Sequence, residues 1–397
     1  MLSIPVPRIS TTKQSIKAKA DVFAKATSLR HIFASRAAAC DRDGKFPFEN
    51  ISDFIASGLI TLPSRTISTG LGGSLSEAQT IVGMLAQGDA SSALIILNHY
   101  MIHATIADRS GWPEPMAARL EQENLCQPGL INAALAEPDL GSASYGGLPE
   151  TVAVATRGDG WRISGRKAYV TGIPALTWLL VRARTDETTP RVGLFLVPAQ
   201  AEGVSVHRNW NHSGMRGTHS HEVELCNVVV PTNNVITLVE GTEPHPVLTN
   251  MMRWNTGLLG ALYDGIVRAG FYWTLNFLQT RVPSNLGRPL ATLSSVQEAI
   301  GNVALALDEN QMLLELYATH IAAGQIEDAD REAAVIKTKV IDGAAELTLQ
   351  LLSLAGNTGL NMGNPLERCH RDALCGRIHA PHSALIRRNA GQKSLAF

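Results

Sequence analysis

The stretch "TVAVATRGDGWRISGRKAYV", residues 151–170, decides the fold. Apolar and polar residues alternate on both sides of Asp159-Gly160. An Asp-Gly pair between two alternating runs is a strong hairpin signal, because the tight turn requires φ > 0. Further short strands read as "TWLLVRAR" (177–184), "RVGLFLVPA" (191–199), "GVSVHRN" (203–209) and "HEVELCNVVV" (221–230). Together they predict a β domain of roughly a hundred residues beginning near Leu130.

Helical periods flank this block. Upstream, Ile16, Val22, Phe23, Ala26, Leu29, Ile32 and Phe33 recur at helical spacing, and a shorter helix is predicted around Ile51, Phe54 and Ile55. Ser74 and Glu77 form a capping box that opens a helix near Leu75, and another apolar helix runs from about Ala90 to Ala107. Downstream of Pro246 the candidate helices are 248–281, 293–323, 329–355 and 383–391, long enough to pack as a bundle. The expected fold is α+β: a helical N-terminal domain over 1–129, a β-barrel-like middle domain over 130–244, and a C-terminal four-helix bundle over 245–397.

The chain has 397 residues and 45% hydrophobic content, more than one core usually holds. A formal net charge of −1 gives no footprint for nucleic acid or an anionic membrane surface. The charged fraction of 17% is low, which favours an oligomer that hides extra surface. Cys40, Cys126, Cys226, Cys369 and Cys375 are scattered and odd in number, which suits free thiols in a reducing compartment. The start lacks the apolar core of a signal peptide and no run reaches transmembrane length, so a cytoplasmic protein is expected.

Five segments, in order, resemble the acyl-CoA dehydrogenase superfamily of flavoproteins. "ALAEPDLGS" (134–142) is similar to its "TEP-x-x-GS" segment, and "DGWRISGRKAYVTG" (159–172) to its "DGY-x-L-x-G-x-K-x-W-I-T" hairpin. "GMRGTHSHEVELCNVVVP" (214–231) resembles the "G-x-R-G-S … F-x-x-V-x-VP" strand. "RVPSNLGRPLATLSSVQ" (281–297) and "AGNTGLNMGNPLERCHRDA" (355–373) resemble "R-x-x-FG-x-P-L-x-x-x-Q" and "GG-x-GY … P-x-ER-x-x-RDA". The resemblance implies a flavin between the β domain and the C-terminal bundle of a homotetramer. Backbone groups around Leu135, Ala136, Gly141 and Ser142 would meet the ring's polar edge, with Thr171 beside N5 and Tyr169 next to it. Arg281 aligns with an arginine that meets the pyrophosphate, often across a subunit boundary, and Asn357 and His382 fall among cofactor contacts. On the residues alone, Tyr169 and Thr171 also suit ordinary strand positions, and Arg281 suits a solvated helix end. Ala136 replaces the family threonine, the phenylalanine after the arginine is lost, "AGNTG" replaces a double glycine, and Ser353 stands where glutamine is usual. FAD, FMN and a reduced flavin that arrives and leaves therefore all stay open.

The informative feature is an absence. Family dehydrogenases place a glutamate in an "E-G-T/S" turn after the Arg-Asp pair; counting from Arg371-Asp372, that position holds Ala380, followed by Pro381 and His382. The family's other seat for the base, before the arginine of the first bundle helix, reads Met252-Arg253. Without a positioned base, α,β-dehydrogenation of a thioester should fall by several powers of ten. Instead, "RDALCGRIHAPHS" (371–383) resembles the "R-N-x-R-x-x-x-x-H-D-P" tail of the flavin monooxygenases sharing this fold. That resemblance implies pocket roles for His379 and for His99 in "LIILNHYMIH" (94–103). An imidazole can donate a hydrogen bond or shuttle a proton near neutral pH without a standing negative charge.

Other readings stay beside these. His99 and His103 also suit satisfied helix-face histidines, and no carboxylate or cysteine nearby completes a metal set, so no metal site is expected. His212, His219 and His221 are expected as surface-loop histidines, Cys369 and Cys375 as inert thiols, and the glycine loop "TGLGGSLSEA" (69–78) as a cavity wall. The leading expectation is a monooxygenase that takes reduced flavin, supplied by a separate reductase, and O2 to a small, largely apolar substrate. The alternatives are an acyl-thioester dehydrogenase with a non-standard base, Asp264 being the candidate, and a non-catalytic flavin- or acyl-binding protein.

Overall fold

The computed structural model describes residues 13–65, 70–141, 147–158, 160–240 and 243–395, with side chains from residue 20 onward. The N-terminal part holds α1 (Lys13–Asp43), α2 (Phe48–Ala56), α3 (Leu75–Gly88), α4 (Ala90–Asp108) and α5 (Glu114–Cys126). On α1, Val22, Ala26, Leu29, Phe33 and Ala37 are buried, one helical stripe against the core. Ser74 caps α3: its hydroxyl accepts from the Glu77 amide at 3.3 Å while the Glu77 carboxylate accepts from the Ser74 amide at 2.9 Å. Nearly every residue from Ala90 to Ile106 is buried, so α4 is a central helix covered on all sides.

Eight strands follow: β1 (Leu130–Ala134), β2 (Val152–Ala155), β3 (Gly160–Val170), β4 (Leu176–Thr185), β5 (Arg191–Pro198), β6 (Val204–His207), β7 (His221–Pro231) and β8 (Val235–Glu240). They form one sheet in the order β6-β7-β3-β2-β4-β5-β8, with β1 parallel to β4. The hairpin forms, but Ala155 stands opposite Trp161 and the Thr156 amide donates to the Gly160 carbonyl, so Gly160 already belongs to β3 and the connection is longer than a two-residue Asp-Gly turn; Asp159 itself lies outside the described residues. The outer strands β6 and β8 do not pair with each other, so the barrel-like curl is not closed by hydrogen bonds. β1 and β8 are short strands beyond those predicted.

The C-terminal part holds α6 (Pro246–Thr280), α7 (Ser294–Ala323), α8 (Ile326–Val335), α9 (Gly343–Ala355), α10 (Pro365–Leu374) and α11 (Ser383–Ser394). Small residues let α6 pack closely on two sides. A Cβ on Gly265 would come within 2.4 Å of the Gly83 carbonyl on α3, and one on Gly260 within 2.6 Å of Leu314 on α7. The helix expected over 329–355 is interrupted by a π-helical turn at Ile336–Ile341. The wider turn lets Lys337 and Asp342 form an ion pair at 2.6 Å while the Lys337 ammonium also reaches the Gly376 carbonyl at 2.6 Å.

Two of the quoted motifs join the three parts. Arg371 on α10 grips Asp41 of α1 with two bonds of 3.0 and 2.6 Å and donates to the Ser213 carbonyl at 2.6 Å. Next to it, Asp372 accepts from the Met215 amide at 2.6 Å. Burial pushes the Asp372 carboxyl up to about 7, against that hydrogen bond. A Cβ on Gly214 would come within 2.2 Å of the Arg371 carbonyl, so glycine is required for this close approach. The "RDA" and "GMRG" segments are thus the rivet between helices and sheet. No helix among the described residues is long and apolar enough to cross a membrane.

Candidate active site

One wall is built by the sheet end that carries Tyr169 and Thr171. The β3–β7 register slips between Lys167 and Val170, and within that bulge Tyr169 takes φ 57°. Tyr169 is 62% exposed. Met215 and His219, on the neighbouring connection, are also left-handed at φ 51° and 44°. Three such residues at one sheet end are uncommon for non-glycine types and mark a place where packing holds the backbone in shape. Thr171 is fixed by neighbours: its carbonyl accepts from Asn132 at 2.8 Å, and its hydroxyl lies 2.8 Å from Ser220, which lies 2.9 Å from Thr218.

Below this wall runs the loop 135–141. Its Glu137 carboxylate is buried and accepts from Lys167 at 2.6 Å, from the Thr151 hydroxyl at 2.6 Å and from the amides of Glu150 and Thr151. Burial pulls the Lys167 ammonium down to about 8, so it stays protonated at neutral pH. Burial would push the Glu137 carboxyl up, but the Lys167 charge and hydrogen bond hold it below its usual range. The pair explains why Glu in one motif accompanies Lys in the next. Gly141 takes φ 76° and exchanges both backbone bonds with Glu137, and the Ala136 carbonyl accepts from Ala168. Those bonds shape the loop on which the cofactor contacts of Leu135, Ala136 and Gly141 are expected. Leu135 is half-buried beside them, and Ser142 lies outside the described residues.

The second candidate segment follows α10. His379 is half-buried, and its Nε2 lies 2.8 Å from the hydroxyl of Tyr263, which is fully buried on α6. The rings meet edge to face at 5.8 Å. Burial, and then the nearby Lys337 charge, lower the His379 imidazole to about 4, so it is neutral at physiological pH. The segment is pinned at both ends: Gly376 by Lys337, and Ser383 by its hydrogen bond to the other oxygen of Asp342.

The third wall is α4. A Cβ on Gly172 would come within 3.1 Å of Ile95, so α4 sits directly on the Thr171 turn. His99 is one helical turn beyond Ile95 on the same face. Its ring turns back, however: Nε2 lies 3.1 Å from the Ile60 carbonyl, and the imidazole lies 4.3 Å from that of His103. Burial lowers His99 to about 4 and His103 well below its ordinary value. The Nδ1 atoms of both are buried with no partner among the described residues.

Among the described residues no hydrogen bond joins His379 to His99 or Thr171. Arg281, by contrast, is exposed at the C-terminal end of α6, 18 residues beyond Tyr263. At about 1.5 Å per residue that is roughly 27 Å along the helix. Asn357 is exposed just past α9, which runs alongside α6 in the same direction. His382 is exposed and lines an open cavity of about 880 Å³ between α7, the π turn, α9 and α11. Arg281 and Asn357 therefore lie toward the other end of α6 from Tyr263, whereas His382 is three residues beyond His379 on the same segment. Met252 is half-buried on α6. Asp264 faces α7: Arg268 holds it at 2.5 Å and Asn310 at 3.0 Å, so it does not serve the Thr171 wall as a free base.

The minor expectations divide. His212, His219 and His221 are not loose surface histidines: His212 stacks on Trp210 at 3.6 Å, His221 accepts from the Trp210 amide at 3.0 Å, and His219 lies 2.9 Å from the Gly44 carbonyl. They lock the left-handed connection. All five cysteines are free thiols, and burial pushes Cys369 and Cys375 up to about 12, which makes them poor nucleophiles. In the glycine loop, Gly70 and Gly73 pack against Ser64 and Leu62.

Helices, an eight-stranded sheet and a helical bundle, joined through Arg371 and Asp372, define a three-part architecture. Residues 132–228 match the acyl-CoA dehydrogenase middle domain and residues 246–394 the acyl-CoA dehydrogenase C-terminal domain. The chain belongs to the acyl-CoA dehydrogenase superfamily. Cyclohex-1-ene-1-carbonyl-CoA dehydrogenase of Geobacter metallireducens is 27% identical over 380 residues, covering 91% of this chain and 93% of that one. The fold also superposes on FMN-bound TdsC from Paenibacillus sp. A11-2, with a TM-score of 0.83, 22% identity and coverage of 94% and 97%. Butyryl-CoA dehydrogenase from Megasphaera elsdenii gives a TM-score of 0.85, 19% identity and coverage of 99% and 100%.

Proposed function

We propose that this chain is a flavin-dependent monooxygenase acting on a small, largely apolar substrate. One observation carries the reading: at both seats where family dehydrogenases keep a catalytic carboxylate the chain has Ala380 and Met252, and a neutral imidazole, His379, stands beside the first. The nearby carboxylates are engaged elsewhere, Asp342 by Lys337, Asp372 by Met215 and Glu367 by Arg371. A flavin fits the donor set: the exposed Tyr169 ring offers a flat apolar face, and the Thr171 hydroxyl is a neutral partner held in place. Reduced flavin would supply two electrons and two protons, so that one atom of O2 enters the substrate and the other leaves as water. His379 would hold or hand over a proton, and α4 with the left-handed connection would exclude water. Arg281 at the C-terminal end of α6 and Asn357 just past α9 would serve the flavin of a neighbouring copy in a homotetramer.

Free reduced FMN or FAD, mixed rapidly with oxygenated buffer, tests the reading. With the protein present, the oxidised flavin should appear along a clearly different time course; an identical course for both flavins would overturn it. A second reading, an acyl-thioester dehydrogenase, is favoured by the Geobacter relative's name and its coverage of nine-tenths of this chain. It requires a carboxylate base that the two seats do not supply.

A further inference from the structure

Tyr263 is the buried residue that the reaction scheme leaves without a task. Its hydroxyl has one partner among the described residues, Nε2 of His379 at 2.8 Å. The Cys375 thiol and the Asp372 and Asp342 carboxylates lie near enough to act on the phenol electrostatically, but among the described residues none of them hydrogen-bonds to it; a Cβ on Gly376 would touch the Tyr263 ring at 3.1 Å, and Ile341 packs on the same glycine. The two ways of sharing a proton across this contact are not equivalent. If Nε2 carried the proton, it would donate to the phenol oxygen, and the phenol's own proton would be buried without an acceptor. If the phenol donates, both groups are satisfied and the proton of the neutral imidazole lies on Nδ1. We infer that Tyr263 is a positioning residue that fixes His379 as the Nδ1–H tautomer, so that a hydrogen-bond donor, not an acceptor, faces the cleft.

The charged groups around the segment do not compete. The Lys337 ammonium is taken up by Asp342 and the Gly376 carbonyl, and Asp342 also accepts from Ser383. These bonds hold residues 376 and 383 and leave the imidazole to Tyr263. Nε2 is turned inward to Tyr263, which leaves Nδ1 as the ring nitrogen for a ligand. The inference rests on the monooxygenase reading for its use. A donor suits a partially reduced oxygen atom that gains negative charge, whereas proton abstraction from carbon would need an acceptor there.

The test is nitrogen NMR on the full chain labelled with ¹⁵N-histidine, with His379 assigned by its loss in His379→Gln. In the unmodified protein near neutral pH, Nδ1 should be protonated and Nε2 unprotonated. In Tyr263→Phe the phenol donor is gone. The His379 signals should shift toward the Nε2–H form, and reduced-flavin-dependent turnover should fall about tenfold, the scale of losing an outer partner that orients a working imidazole. A protonated Nε2 in the unmodified protein, or an unchanged tautomer in Tyr263→Phe, overturns the inference. The unmodified spectrum decides even if Tyr263→Phe folds poorly. Undiminished turnover in His379→Gln would instead remove the monooxygenase role of His379, whatever the tautomer.

Discussion

His379→Ala is expected to lower turnover with reduced flavin and oxygen by about 10² to 10⁴, the usual contribution of a positioned acid–base group. The fold should survive. The ring is half-buried, and the main structural loss is the Tyr263 hydroxyl, left buried without its partner at a cost of about 1–3 kcal/mol. Steady-state oxygen consumption with substrate, alongside a denaturation midpoint, separates the two effects. Full turnover by the variant would remove His379 from the chemistry.

Lys167→Met is expected to be the most damaging single change to stability. It strips the buried cation from Glu137, whose remaining donors are the amides of Glu150 and Thr151 and the Thr151 hydroxyl. Breaking one half of a buried pair typically costs about 3–5 kcal/mol, because the surviving charge stays in low dielectric. The double variant Glu137→Gln with Lys167→Met should recover much of that loss, since neither charge remains. Chemical denaturation of the three proteins measures the difference. A single variant as stable as the unmodified chain would show that the pair does not anchor loop 135–141.

Much of this molecule is written in local signals. The hairpin at 151–170 and the Ser74–Glu77 box each rest on a few adjacent residues whose chemistry has one good solution. What escaped is non-local or pattern-poor. α10 is short and charged, with few apolar residues to show a period, yet its Arg371 and Asp372 join three parts of the chain. The π turn at Ile336–Ile341 keeps an apolar texture that reads as unbroken helix. Tyr169 is left-handed although neither glycine nor asparagine announces it.

The candidate site was legible only in its parts. The segments that carry Thr171, Tyr169 and His379 could be read from the motifs, but the Tyr263–His379 contact spans 116 positions and no spacing foretells it. His99 sits at the foretold helix position, but its Nε2 turns to the Ile60 carbonyl, a contact made possible by the turn that follows α2. The backbone bonds of Gly141 and Ala136 depend on how the loop closes on β3, which residue types alone do not reveal.

The central claim is that no carboxylate stands ready to take a proton from carbon beside the flavin. Anaerobic titration of the flavin-loaded protein with a panel of acyl-CoA thioesters measures this directly. The oxidised flavin's visible absorbance should persist through every addition; rapid bleaching by any one thioester would contradict the claim and establish a dehydrogenase.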